Sequence, residues 1–118
     1  MANLGKNTKL TIAKRHREAV RRTLTEGLGL AAKPGPSPDF DLFPLGNGGM
    51  LGVAFVADAE ALDDAVQERG AWLEFEVDAV DAATARLSAA GARRVDYHDK
   101  NHPYFQLPGG PVFRLSSA

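Results

Sequence analysis

The sequence predicts an α+β fold built from two βαβββ modules. Three observations lead to this prediction. The chain has 118 residues and no cysteine, which favours one domain whose core needs no disulfide. Strand and helix patterns succeed each other in the same order in both halves. The halves also match residue by residue, because Leu10 meets Leu73 at an offset of 63 and Phe43 meets Phe105 at an offset of 62. Two copies at so long a period indicate paired modules, not a solenoid.

The first module is predicted to span residues 8–57, within a single domain of residues 1–118. Apolar residues at helical spacing between His16 and Glu26 predict a helix that ends at Gly27 or Gly29. Three prolines within a few residues predict a loop, and a glycine-rich turn at 46–49 joins two strands. The predicted elements are the strand Leu10–Ile12, the helix His16–Glu26, the loop Lys33–Pro38, and the strands Phe40–Leu45 and Leu51–Val56.

Residues 58–70 are predicted as a linker helix, acidic over Ala59–Glu68 and closed by Gly70. The second module follows at 71–116, and its helix is predicted to start after a capping Asp78 and to stop at Gly91. The predicted elements are the strand Ala71–Val77, the helix Ala79–Ala90, and the strands Arg94–His98, Tyr104–Leu107 and Val112–Leu115.

Composition restricts the kinds of catalytic and metal-binding site that the chain can form. The lack of cysteine excludes thiolate catalysis and every metal site that needs sulfur ligands. Only three histidines are present, His16, His98 and His102, and the last two flank a predicted turn, where a surface position is the expected one. No leader-like segment or apolar run long enough for a membrane span occurs. The sequence therefore predicts a cytoplasmic protein without membrane association.

Basic residues are concentrated near the N-terminus. Residues 1–22 contain seven of the 14 basic residues and one acidic residue. An early helix start would place Lys14, Arg17 and Arg21 on one stripe, which could meet phosphates. Because no nucleic-acid-binding motif accompanies the stripe, we expect a solvated face that pairs with the acidic linker helix or with a second subunit. A regulatory or interaction role for this helix stays an alternative.

Four motifs in order resemble the vicinal oxygen chelate superfamily, which contains glyoxalases, extradiol dioxygenases, and fosfomycin and bleomycin resistance proteins. The strongest is Phe75–Ala83, and the resemblance covers about residues 8–116. The other three motifs are Glu26–Leu30, Ala90–Ala92 and Leu107–Leu115. The resemblance implies a glyoxalase/bleomycin resistance-like fold, in which the modules form a curved mixed sheet. Its helices lie on the convex side and its ligand site on the concave face.

The resemblance also implies where a catalytic divalent metal would bind. Enzymatic members hold it with His or Gln on the first strand of each module and Glu on the last. The corresponding positions here are Lys9, Gly52, Trp72 and Arg114. None of these side chains offers a free lone pair at neutral pH, and their immediate neighbours supply no usual ligand. We therefore expect no metal and no cofactor, and a protein that is not an enzyme of the metal-dependent kind.

Strand alternation predicts which side chains line the concave face. Trp72, Glu74 and Glu76 point one way along the strand, and the same parity on the last strand points Arg114 inward. The resemblance, in which the first and last strands of a module are close, implies that Arg114 lies near Trp72 and Glu74. Arg114 and Glu74 could form an ion pair that fills the volume of a metal. Alternatively, Trp72 stacks on a ligand and Arg114 binds a planar or anionic group. The carboxylates of Glu74 and Glu76 would instead suit a cationic ligand. A general-base role for one of them is a further alternative.

The predicted ligand-binding residues are Lys9, Trp72, Glu74, Glu76, Tyr104 and Arg114, with Tyr104 included because of the resemblance. Together with the resemblance, we expect a homodimer that binds a small molecule without a metal. In the most concrete version it sequesters an antibiotic or other natural product. Nucleic acid is not an expected partner. The alternative is a metal-dependent, glyoxalase- or dioxygenase-like enzyme with atypical ligands.

Overall fold

The computed structural model describes residues 1–118 and contains two four-stranded mixed sheets. The first is made of β1 (Asn7–Ala13), β2 (Lys33–Pro34), β3 (Phe40–Pro44) and β4 (Met50–Val56). The second is made of β5 (Leu73–Val77), β6 (Arg93–Val95), β7 (Tyr104–Gln106) and β8 (Val112–Ser117). Their strand orders are β1-β4-β3-β2 and β5-β8-β7-β6. In each sheet the first strand runs parallel to the last, and the other neighbours are antiparallel. The α+β fold of two βαβββ modules is confirmed.

The first helical segment is continuous but changes its geometry along its length. A 3₁₀ turn at Lys14–His16 leads into α1 (Arg17–Arg22), and a π-helical turn at Thr23–Gly27 ends it. Gly27 is buried against α3 (Val80–Ala89), where a Cβ atom would clash with Leu87. The close approach of the two helical segments therefore requires glycine at this position.

Helix α3 ends as predicted but starts differently. Gly91 has φ 83°, and the amides of Gly91 and Ala92 donate to the carbonyls of Ser88 and Leu87, which is the Schellman pattern. At the other end, Ala79 is the N-cap with φ −136° and ψ 106°, and no side chain caps the helix. The prediction that Asp78 caps it is wrong, because Asp78 lies one residue before the capping position.

Two further segments differ from the predicted elements. Lys33 and Pro34 pair with β3 as a two-residue edge strand, where a proline is tolerated because its outward side needs no donor. The linker forms a 3₁₀ turn at Asp58–Glu60 and then α2 (Asp64–Arg69), whose N-cap Asp63 accepts a hydrogen bond from the Val66 amide. No helix is long and apolar enough to cross a membrane.

One hydrophobic core joins the two modules. It contains Ile12 and Phe43 from the first sheet and Phe105 and Phe113 from the second, each fully buried. Leu24 and Leu87 from the two helical segments complete it. Each sheet therefore packs one face against the helices, and its other face lies outside this core.

Candidate ligand-binding site

The site residues of the second sheet lie on the face away from the core. Leu73, Phe75 and Val77 pack against the core, so the alternating side chains of β5 point outward, as predicted. Arg114 on β8 stands directly opposite Glu74, and its Nε donates to Glu74 Oε2 at 2.7 Å. The predicted ion pair is therefore present in the structure.

Trp72 and Tyr104 both contact the Arg114 guanidinium, the first through its ring and the second through its hydroxyl. The guanidinium carbon lies 4.5 Å from the Trp72 ring centroid, within the range of a cation–π contact. The Trp72 and Tyr104 rings meet edge to face with centroids 6.2 Å apart. Tyr104 is 2% exposed and stands opposite Arg114 on β7, whereas Trp72 is 42% exposed. The arginine thus has one aromatic neighbour inside and one at the surface.

Asp99 completes the cluster and was missed by the sequence analysis. Its Oδ2 accepts hydrogen bonds from the Tyr104 hydroxyl at 2.9 Å and from Arg114 NH1 at 3.3 Å. Its Oδ1 accepts from the Asn101 amide at 2.9 Å, an Asx turn that fixes the carboxylate. The signal available in the sequence was the pair Asp99 and Asn101, two residues apart, which is typical of such a turn.

His102 is also part of the cluster. Its Nδ1 lies 2.8 Å from Asp99 Oδ2, and the imidazole is about one-third exposed. His102 is therefore a turn histidine at the edge of the surface that also contacts the cluster through Asp99. Asp99, His102, Tyr104 and Tyr97 line a cavity of about 360 Å³ beside Arg114.

Hydrogen bonds fix the charge states of the cluster. The Asn101 amide, then His102 and Tyr104, lower the pKa of Asp99 to about 2, so this carboxylate is ionised at neutral pH. Burial raises the pKa of Tyr104, which keeps its hydroxyl protonated. Hydrogen bonds to Tyr104 and Glu74 raise the pKa of Arg114. The cluster is thus a guanidinium held between two carboxylates and a phenol.

The other two predicted site residues lie apart from this cluster. Glu76 is exposed two residues beyond Glu74 on β5, and both glutamates line a second cavity of about 430 Å³ together with Leu45. Glu76 makes no hydrogen bond or ion pair with Arg114. Lys9 is exposed on β1 in the first sheet, and its Nζ donates to Thr11 Oγ1 at 3.0 Å. The structure therefore brings together Trp72, Glu74, Tyr104 and Arg114, but not Glu76 or Lys9.

The strand register at the site positions differs between the two modules. Lys9 pairs with Gly52 across the parallel strands of the first sheet, whereas Arg114 pairs with Glu74, not Trp72. Glu74, two residues beyond Trp72, therefore stands directly across from Arg114. A shift of two residues keeps the same face of the strand, so the predicted orientation of these side chains is unaffected.

The metal ligands of the superfamily do not fit this site, even with Glu74 in place of Trp72 among the four positions. Glu74 is the one acidic group among the four positions, and Arg114 already binds it. Lys9 and Arg114 are cations and Gly52 has no side chain, so the set supplies a single anionic ligand. No group of three or more histidine, cysteine or acidic side chains lies close enough to hold a metal.

The basic stripe has a different partner from the predicted ones. Arg17 and Arg21 donate to Asp41 on β3 at 2.7 Å each, and Lys14 lies 3.3 Å from Asp39. The expected pairing with the linker is limited to Arg15 with Asp58 at 3.2 Å. The stripe therefore lies against β3 of its own module, which leaves little of its charge for a duplex.

These observations define a paired-βαβββ protein with a polar, partly aromatic cluster on the outer face of its second sheet. A family model described as a glyoxalase-like domain matches residues 10–116. The chain belongs to this family, within the vicinal oxygen chelate superfamily. A comparison with curated proteins gives no match.

Solved structures of the same fold include enzymes and resistance proteins. A glyoxalase-related enzyme from Fulvimarina pelagi is 21% identical with a TM-score of 0.72, over 99% of this chain and 89% of that one. The fosfomycin resistance protein FosX from Listeria monocytogenes, in complex with Mn(II) and 1S,2S-dihydroxypropylphosphonic acid, is 14% identical with a TM-score of 0.73, over 100% and 92%. The oxidase ChaP-H2 is 19% identical with a TM-score of 0.70, over 100% and 95%. At these identities the likeness shows the fold alone.

Proposed function

We propose that the chain is a small-molecule binding protein that works without a metal, and that its ligand stacks on Trp72 beside Arg114. The observation that carries this proposal is the exposed indole. Trp72 is 42% exposed and takes no part in the hydrophobic core, yet both Arg114 and Tyr104 contact its ring. An aromatic ring fixed in this way offers a stacking surface at low entropic cost.

The charges around the ring indicate the kind of ligand. Glu74 and Asp99 already bind the Arg114 guanidinium, and exposed Glu76 adds another carboxylate on the same strand. Negative charge therefore exceeds positive charge on this face. A neutral or cationic planar group fits better than an anion, because an anion would have to displace a carboxylate from Arg114. Binding without reaction would suit sequestration of an antibiotic or another natural product.

A homodimer is part of this proposal, and the first sheet supports it. Its face away from α1 carries Leu42, Met50 and Ala54, all half-buried, and no helix of the chain covers them. A sheet with one solvated face normally alternates apolar and polar side chains. A second copy over this face would bury these residues and would place Lys9 within an interface, the setting in which Lys9 could still contact a ligand.

Trp72 fluorescence tests the binding proposal, because it is the only tryptophan of the chain. Titration with a panel of planar cationic and neutral natural products should shift or quench the emission for at least one class, with saturation. Calorimetry measures the affinity of the variants that lack tryptophan. Trp72→Phe should keep part of the affinity, and Trp72→Ala should lose it. Arg15→Gln, a change of an exposed cation that pairs with Asp58 in the first module, serves as the control.

Two results would contradict the proposal. No change in fluorescence with any compound would leave Trp72 as a surface packing residue. A stoichiometric divalent ion in the purified protein would support the metal-dependent alternative. Sedimentation of the wild type and of Leu42→Lys tests the dimer separately, and the variant should sediment as a folded monomer.

A further inference from the structure

The cavity of about 360 Å³ beside Arg114 lies on the same face of the second sheet as the proposed stacking site. Tyr104 stands directly opposite both Arg114 and Val95, so these three side chains leave the sheet on one side. Val95, Tyr97 and Tyr104 form the apolar part of the cavity wall, and they pack together apart from the main core. Ligand pockets have volumes of about 300–1,000 Å³, so this cavity suits a molecule of one or two rings.

The charged side chains of this wall already have partners. Asp96 and Asp99 are its acidic residues, and Lys100 pairs with Asp96 while Arg114 pairs with Asp99. Arg94 is the remaining basic residue, and its guanidinium lies over a ring of the hydrophobic core. A charged ligand would have to displace one of these contacts, which costs affinity. The cavity therefore favours an uncharged ligand.

One hydrogen-bonding group of the wall has no partner in the protein. His102 lines the cavity, and its Nδ1 lies 2.8 Å from Asp99 Oδ2. Because Asp99 is ionised at neutral pH, this oxygen can only accept, so the hydrogen of a neutral imidazole must be on Nδ1. Nε2 then carries a lone pair, and the bond to Asp99 is the single hydrogen bond of the imidazole. The cavity wall thus presents one unpaired acceptor.

Asp99 fixes the direction of this acceptor. Its carboxylate is held by the Asn101 amide and the Tyr104 hydroxyl, each at 2.9 Å, and a fixed carboxylate orients the imidazole that donates to it. The imidazole is about one-third exposed, so a molecule in the cavity has access to the ring. An acceptor that is ordered in the free protein binds a donor at a lower entropy cost.

We propose that this cavity binds an uncharged planar ring that carries a hydrogen-bond donor, an O–H or a ring N–H, and that the donor binds His102 Nε2. The inference deepens the proposed function and rests on it in one respect, that this face of the second sheet binds a small planar molecule. Tyr104 contacts Trp72 and also lines the cavity, so a ligand of two rings can stack on Trp72 and reach His102. An analogue without the donor leaves Nε2 unpaired, which makes the donor the element that selects among planar ligands.

Two pairs of probes test the proposal by nuclear magnetic resonance on isotope-labelled protein: indole with N-methylindole, and phenol with anisole. In each pair a methyl group replaces the donor hydrogen in the second compound. We expect the first compound to bind roughly five- to tenfold more tightly, the effect of one hydrogen bond, and to shift the Nε2 resonance of His102. His102→Phe should abolish the difference within each pair. His98→Phe removes an exposed imidazole and keeps a ring against Tyr97, so this matched control should preserve the difference.

Three results would overturn the proposal. The first is equal affinity within both pairs of probes, and the second is an equal loss in His98→Phe and His102→Phe. The third is a hydrogen on His102 Nε2 in the free protein at mildly alkaline pH, which the imidazole nitrogen resonances of the wild type report directly. This last measurement needs no variant, so it decides the question even if His102→Phe does not fold. A difference within one pair alone supports the proposal and identifies the donor as O–H or N–H.

Trp72 emission separates this proposal from the proposed function. A planar compound that shifts the emission, together with equal affinities within both pairs, would refute the role of His102 and leave stacking on Trp72 intact. A donor preference that Trp72→Ala leaves unchanged would support the cavity and refute the stacking.

Discussion

Replacing Asp41 by asparagine should destabilise the protein strongly at neutral pH. Asp41 is 2% exposed and binds two guanidinium groups, so Asp41→Asn removes the carboxylate that holds both, and only exposed Asp39, 4.0 Å from Arg17, is left near them. Removing one partner of a fully buried ion pair costs about 3–5 kcal/mol. Arg17 and Arg21 are 24% and 41% exposed, and water screens part of that cost, so we expect about 2–3 kcal/mol. For a chain of this size, that loss lowers the melting temperature by roughly 10 °C.

The same substitution has a distinct dependence on pH. Burial raises the pKa of Asp41, but hydrogen bonds from Arg21 and Arg17 outweigh it, and the net pKa lies below the usual value of 3.8. A depressed pKa in the folded state contributes stability that is present above the unfolded-state pKa and is lost as the pH falls through the folded-state pKa. The free-energy difference between wild type and Asp41→Asn should therefore be largest near neutral pH and shrink below about pH 4.

Urea unfolding followed by circular dichroism from pH 7 to pH 3 measures both effects. Asp39→Asn is the matched control, because Asp39 pairs with the same basic stripe but is 54% exposed. It should cost less than about 1 kcal/mol. The reasoning is refuted if Asp41→Asn unfolds within about 0.5 kcal/mol of the wild type at pH 7, or if Asp39→Asn costs as much.

Three further predictions concern packing, turn geometry and the cluster. Gly27→Ala should cost about 1–3 kcal/mol in urea unfolding because its Cβ would clash with Leu87, whereas Gly46→Ala, which meets no atom within 4 Å, should be nearly neutral. Gly91→Ala should lower stability by about 1 kcal/mol, since φ is 83° at that position; a melting temperature equal to that of the wild type would contradict the Schellman geometry. Tyr104→Phe removes the hydroxyl bonded to Asp99 and Arg114 and should change the Trp72 emission spectrum without unfolding the chain; an unchanged spectrum would show that the hydroxyl does not position the Arg114 stack.

The fold was predictable because its signals are local and occur twice. The alternation of β5 separates Leu73, Phe75 and Val77 from the site residues, and that separation is what the structure contains. Glycine at 91 marks the end of α3 for the same local reason, a positive φ. Such features need no knowledge of the partner elements, so one sequence suffices to find them.

The register between β5 and β8 was not predictable in this way. Alternation has a period of two, so it fixes the face on which Arg114 lies but not which residue of that face stands opposite. Trp72 and Glu74 were equally acceptable by parity, and hydrogen bonding across the sheet selects Glu74. Asp41 was missed for a related reason. Asp41 is 20 residues from Arg21, and nothing in the pattern of α1 indicates which carboxylate of the chain Arg21 binds.

Asp99 shows how one residue can combine a turn signal with a site role. Its Oδ1 closes the turn with the Asn101 amide, while its Oδ2 binds Tyr104, His102 and Arg114. A sequence pattern reveals only the first of these uses, because the second depends on β7 and β8 lying beneath the turn. The hydrogen bond that closes the turn also makes the Asp99 carboxylate rigid. A rigid carboxylate can hold Arg114 against Trp72 without losing further entropy. The polar cluster therefore depends on the β6–β7 turn as much as on the strands. A substitution such as Asn101→Pro, which removes that amide donor, should loosen the Arg114 stack although it touches no aromatic residue.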